Sequence, residues 1–146
     1  MSADSLWDVQ TGVYALLTTT AALTAQLAAG AGSVLDHVPE GAPFPYVVLG
    51  AASSVPSDTQ GFSGSEATLT IDTYSRGAGM EETRRIMSAI YDALHAAAFS
   101  VPNQTLVQCR CVESATSVEA DGLRRYEQNA LVRHGVQKFR VITEPV

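Results

Sequence analysis

Apolar residues recur along this chain at two different periods, and the switches between them mark out its elements. Leu6, Val9, Val13, Leu16 and Leu17 fall at helical spacing behind Ser5, with Asp8 three residues on, which predicts an amphipathic helix over residues 5–18. Thr19 or Thr20 is placed to cap a second, shorter helix through about residue 28, with Leu23 and Leu27 facing inward. Gly30 and Gly32 end it.

The period then changes to two. Residues 34–38 form a short strand candidate, followed by the run D-H-V-P-E-G-A-P-F-P-Y-V-V-L-G over residues 36–50. Its three X-Pro pairs make a stiff connector, because proline fixes its own φ and pushes the preceding residue toward extended backbone. From Tyr46 to about Ala52 the chain has the character of a buried strand. Residues 53–65, S-S-V-P-S-D-T-Q-G-F-S-G-S, are turn-forming and predict a loop or hairpin arm. An ordinary solvated loop and an arm that orders against a partner are both compatible with it.

Ala67, Leu69 and Ile71 alternate with Thr68, Thr70 and Asp72, which predicts a half-buried strand ending near Tyr74. Ser75-Arg76-Gly77-Ala78-Gly79 breaks it, and Glu81 and Glu82 then occupy the first turn of a helix, at the positive end of its dipole. Ile86, Ile90 and Leu94 form that helix's core stripe, with Met87 and Tyr91 alongside. Residues 105–117 are extended again, with Val107, Cys109 and Cys111 on one face and Gln108 and Arg110 on the other. Asp121-Gly122 is a hairpin signal. Leu123, Tyr126, Ala130 and Leu131 fit a short helical stripe, whereas residues 136–143 read as a final strand. The order helix, helix, three strands, helix, two strands predicts an α+β fold. Its mainly antiparallel sheet is covered on one face by helices, in a single domain over residues 1–146.

Composition narrows the function more than the fold. Charged residues are only 16% of the 146, well below the roughly 25% of ordinary soluble domains, which suits a subunit that buries surface against neighbours. The net charge of −6 repels a phosphate backbone, so sequence-specific nucleic-acid binding is not expected. An acidic surface suits a conduit past which DNA slides. The amino terminus lacks the basic and apolar regions of a signal peptide, and no apolar run reaches the ~20 residues of a membrane span. The expectation is a protein made in the cytoplasm, without a membrane partner.

Candidate chemistry is sparse. His37, His95 and His134 lie far apart and match no ligand spacing, so neither a metal nor another cofactor is expected. Cys109-x-Cys111 lacks the two-residue spacer of a redox pair and reads as two buried thiols. No serine sits in a nucleophile motif. The loop at residues 75–79 has the free amides of an anion site but not the lysine or glycine spacing of a phosphate loop, and turn chemistry explains it. Arg76 stands on that turn as a charge able to pair with an acidic group on another subunit.

Several segments, in their order, resemble the tail completion or tail terminator proteins of long-tailed bacteriophages and gene transfer agents. These are Tyr14-Ala15-Leu16-Leu17, Ala21-Ala22-Leu23, V-L-D-H-V-P from Val34, F-P-Y-V-V-L-G from Phe44, Thr73-Tyr74-Ser75-Arg76, Tyr91-Asp92-Ala93-Leu94-His95, Asp121-Gly122 and Phe139-Arg140-Val141. The span from Leu123 to Arg133 is longer than the family's usual link between its last two strands. The resemblance implies a non-enzymatic ring, usually of six copies, that caps the tail tube at the head–tail junction of the virion. Its partners would be further copies of itself, the major tail tube protein and the head–tail connector or stopper, with DNA passing through unread. The candidate contacts for subunit or tube are Pro43, Phe44, Pro45, Asp58, Phe62 and Arg76. A head-side stopper or minor tail protein is the alternative placement, and a small hydrolytic or redox enzyme is the alternative of a different class.

Overall fold

Strict alternation over Ser65–Ser75 produces the central strand of the molecule, every second residue of which is buried from Ser65 to Ser75. The computed structural model describes residues 4–57, 64–120 and 131–146. In chain order the elements are α1 (Leu6–Thr18), α2 (Ala21–Thr24), a 3-10 turn (Gly30–Ser33) and β1 (Val34–Leu35). They continue with β2 (Tyr46–Pro56), β3 (Ser65–Ser75), α3 (Glu81–Leu94), β4 (Gln104–Ala120) and β5 (Leu131–Pro145). The strands form one sheet in the order β1-β2-β3-β5-β4, antiparallel throughout except for β1 beside β2. Because β3 and β4 flank β5 and both oppose it, they run parallel to each other, and α3 is the crossover between them. The α+β architecture expected from the element order is the one observed.

Both long helices lie on the same face. Val9, Val13 and Leu17 of α1 and Ile86, Ile90 and Leu94 of α3 are buried against Val47, Leu49, Leu69, Ile71, Phe139 and Val141 of the sheet. Burying side chains of this size stabilises by roughly 1.5–3 kcal/mol each, so this layer supplies the main driving force for folding. Gly135 on β5 is where α3 comes closest, since a Cβ there would run into the Met87 side chain.

Several local expectations need correction. The second helix ends at Thr24 rather than near residue 28, because the Ala28 amide donates to the Pro45 carbonyl and Gly30 takes φ +58°. The connector thus competes with the helix for its last amides. Neither predicted cap forms: the Ser5 hydroxyl is buried and donates to Ser65 Oγ, and Thr20 Oγ1 donates back to the Leu16 carbonyl. Asp8 instead accepts from the side chains of Asn103 and Gln104. The strand expected over 34–38 is only Val34–Leu35, since the chain leaves the edge of β2 there.

The loop reading of residues 53–65 gives way to its hairpin alternative: Ser53, Ser54, Val55 and Pro56 pair with Thr68, Ala67, Glu66 and Ser65. Val107 does not join Cys109 and Cys111 on the covered face. A bulge between Leu106 and Gln108 gives β4 an extra residue, so Leu106 packs against the core and Val107 is 55% exposed. Leu131 is the first residue of a strand, and the rest of the helical stripe from Leu123 to Ala130 lies outside the described residues, as does Asp121-Gly122. The paired ends of β2 and β3 border Thr143, while β4 and β5 remain paired past Ser75 to Ala120 and Leu131. The two hairpins therefore extend toward opposite ends of the sheet.

Candidate assembly interface

The sheet face away from the helices is covered by no other described element, and its side chains are half-exposed. Tyr46 of β2, Tyr74 of β3 and His134 of β5 are cross-strand neighbours, placed in one row by the register of the three strands. Tyr46 and Tyr74 have ring centroids 5.4 Å apart, and Tyr74 stacks on His134 at 4.5 Å with planes only 9° apart. Phe44, reached through a cis Phe44–Pro45 peptide, extends the row at 5.0 Å from Tyr46. The Arg76 guanidinium closes it, 4.5 Å above the centre of the Phe44 ring. Such aromatic contacts contribute about 0.5–1.5 kcal/mol each beyond their buried area.

A polar pair holds the far end. His134 Nε2 lies 2.8 Å from Asp72 Oδ1, with both side chains mostly buried. Gly50, in the irregular stretch of β2 between Leu49 and Ala52, leaves room for that carboxylate, because a Cβ there would sit 2.6 Å from Asp72 Oδ2. Burial raises the pKa of the Tyr46 hydroxyl above its usual value, and the Arg76 charge offsets part of that rise. Further along the face, Lys138 pairs with Glu113 at 3.1 Å and Arg140 with Glu66 at 3.7 Å.

The candidate contacts divide accordingly. Phe44, Pro45 and Arg76 are brought together at one end of the aromatic row, with Pro43 exposed beside them. Arg76 is thus seated on Phe44 rather than standing free on its turn. Asp58 and Phe62 lie outside the described residues. Tyr74, Asp72 and His134 were not among the candidates. The signal for Tyr74 was its parity, two positions on from Asp72 and opposite to Ile71 and Thr73, but its partners come from strands far away in sequence.

The residues weighed for chemistry have structural roles. Cys109 is buried and Cys111 half-buried, both as free thiols, and burial together with the neighbouring Cys111 pushes the Cys109 thiol up to about 12. A thiol held neutral in this way is a poor nucleophile. His95 follows the last residue of α3, stacks on Tyr91 at 4.5 Å and accepts the Cys111 amide through Nδ1. In the loop at residues 75–79 the Gly77 amide donates to Ser75 Oγ, while Arg133 donates to the carbonyls of Gly77 and Ala78. That turn spends an amide internally and presents carbonyls to a cation, which is unsuited to an anion. Among the described residues no cluster of His, Cys, Asp and Glu is arranged to hold a metal. Among the described residues no helix is long and apolar enough to cross a membrane.

The family described as tail completion protein gp17 matches residues 11–144. The chain belongs to this family. It is a structural protein of the virion tail and not an enzyme. A chain solved in the virion of a native gene transfer agent particle is similar at 25% identity and a TM-score of 0.78, over 98% of this chain and 99% of that one. No curated protein matches. The aromatic row on the uncovered sheet is rigid contact area, held in place by strand register and ring stacking.

Proposed function

We propose that this protein is the tail terminator subunit of a phage-like particle, working as one domain. Copies of it close into a ring, six in number by the family resemblance, that caps the finished tail tube and joins it to the head–tail connector. The observation that carries this reading is the match to the tail completion family over residues 11–144, with the near-complete two-way correspondence to a chain of a gene transfer agent virion beside it. The net charge of −6 and the 16% of charged residues support it, as a channel wall that does not retain DNA and a surface suited to subunit contact. Phe44, Pro43, Pro45 and Arg76, with Asp58 and Phe62 of the hairpin arm, are the proposed contacts to neighbours or to the tube.

Deleting the gene and imaging the particles tests the proposal. The expected result is tails without a finished upper end and unjoined heads. Normal numbers of completed, head-joined tails would refute it, and mapping the protein to the head side of the junction would make it a stopper instead.

A further inference from the structure

The two edges of the sheet are unlike each other and complementary. At the β1 edge, α1 overhangs the sheet: Trp7 and Tyr14, seven residues apart on one helical face, are 72% and 45% exposed. With Gln10, Val34, Leu35 and Asp36 they line a mostly apolar groove of about 360 Å³. At the β4 edge, α3 overhangs in the same way. Arg84, Ser88 and Tyr91 face Ser114 and Thr116 across a groove of about 340 Å³, into which Gln137 reaches from below.

Gln137 is a buried residue whose Nε2 donates to the Met87 carbonyl, while its Oε1 has no partner among the described residues. A buried acceptor left unpaired costs about 1–3 kcal/mol, which a donor from outside recovers only where the side chains lining the groove shift to open a way to Oε1. The outer edge of β4 is already covered at one place, where Ala96 donates to the Cys109 carbonyl and His95 accepts the Cys111 amide. Beyond Glu113 no such cover is present among the described residues, and this is the stretch beside the groove.

We propose that the α1/β1 edge of one copy docks into the α3/β4 edge of the next, with the side chains of α1 seated in the groove between α3 and β4. The proposal deepens the ring reading by naming its interface, and rests on it. Each edge offers what the other lacks. Trp7, Gln10 and Tyr14 bring donors and aromatic area, the second groove brings the unpaired acceptor of Gln137, and Asp36 on one rim opposes Arg84 on the other. The edges lie at opposite sides of one sheet and cannot meet within a chain, so the contact is head-to-tail, the kind that closes rings. With only two residues in β1, side chains rather than a strand ladder carry the binding.

Trp7 is the only tryptophan of the chain, so its fluorescence reports occupancy of the first edge directly. Full-length protein is titrated to ~1 mM, with sedimentation and Trp7 emission followed together. The expected result is self-association accompanied by a blue shift. Trp7→Ala and Ser88→Glu, each altering an exposed residue of one edge, should each weaken association more than ~10-fold, as loss of a buried anchor does. Mixed together they should pair, because Trp7→Ala keeps the second edge and Ser88→Glu keeps the first, with the shift coming from the Ser88→Glu copy alone. Association without a Trp7 shift, or undiminished in either variant, overturns this interface and leaves the ring reading standing. A parent protein that stays monomeric and unshifted throughout overturns it as well, while the deletion phenotype decides the ring reading separately.

Discussion

On the helix-covered face of the sheet, Leu69, Ile71, Phe139 and Val141 meet α1 and α3 and are excluded from water. On the other face the sheet presents Tyr46, Tyr74, His134, Lys138 and Arg140, partly or fully exposed, with the rings in a row and His134, Lys138 and Arg140 paired with Asp72, Glu113 and Glu66. Both faces are ordered, but by different means. The covered face is held by burial, which depends on apolar area removed from water. The open face is held by register, which lines up rings and opposite charges across three strands and leaves their outer surfaces available. Burial thus holds the fold together, while register keeps a rigid surface open to solvent.

Truncations on the covered face should separate the two most strongly. Phe139→Ala removes the largest fully buried side chain among the described residues and should cost about 3–5 kcal/mol in urea unfolding. A loss below ~1 kcal/mol would mean that this face is not the main source of stability.

The Cys109 thiol tests the dryness of that face by pH. Its folded pKa is raised to about 12 against an ordinary value of 9.0, so above pH 9 the unfolded chain loses its proton while the folded one keeps it. Fewer protons on the unfolded state means that stability falls as pH rises from about 9 to about 12. The measurement is unfolding across that window for the parent and Cys109→Ala: the parent should decline more steeply, and parallel curves would show that the thiol is not sheltered.

On the open face the effects should be smaller. Tyr74→Leu breaks the row between Tyr46 and His134 while keeping apolar bulk, and should cost about 0.5–1.5 kcal/mol in the same assay. A cost matching that of Phe139→Ala would erase the distinction between the faces. Lys138→Ala removes an exposed ion pair with Glu113 and should change stability by less than about 1 kcal/mol, with that small effect fading in high salt.

Much of the covered face was legible beforehand, because its pattern is local. Ile86, Ile90 and Leu94 repeat every four residues within one helix, and Ala67, Leu69 and Ile71 alternate within one strand, so each stripe can be read without knowing what it touches. The open face was not legible in the same way. Phe44, Pro45 and Arg76 stood out through proline stiffness and turn chemistry, but their companions Tyr74 and His134 join them only through cross-strand register. Trp7 and Tyr14 carried a signal that was available and unused: large apolar residues on α1, off the stripe formed by Val9, Val13 and Leu17.

The sequence by itself determined the element types and their order, the absence of a catalytic motif, and an acidic, charge-poor composition suited to assembly. These follow from short-range rules: side-chain direction repeats every 3.6 residues in a helix and every two in a strand, and proline and glycine restrict or free the backbone where they stand. Tertiary structure alone decided where competing groups found their partners. The Pro45 carbonyl took the Ala28 amide and shortened α2, the bulge at Val107 turned one valine away from the core, and strand register assembled the aromatic row. Each of these outcomes depends on residues distant in sequence competing for one hydrogen bond or one place in a ladder, and the chain settles that competition only when it folds.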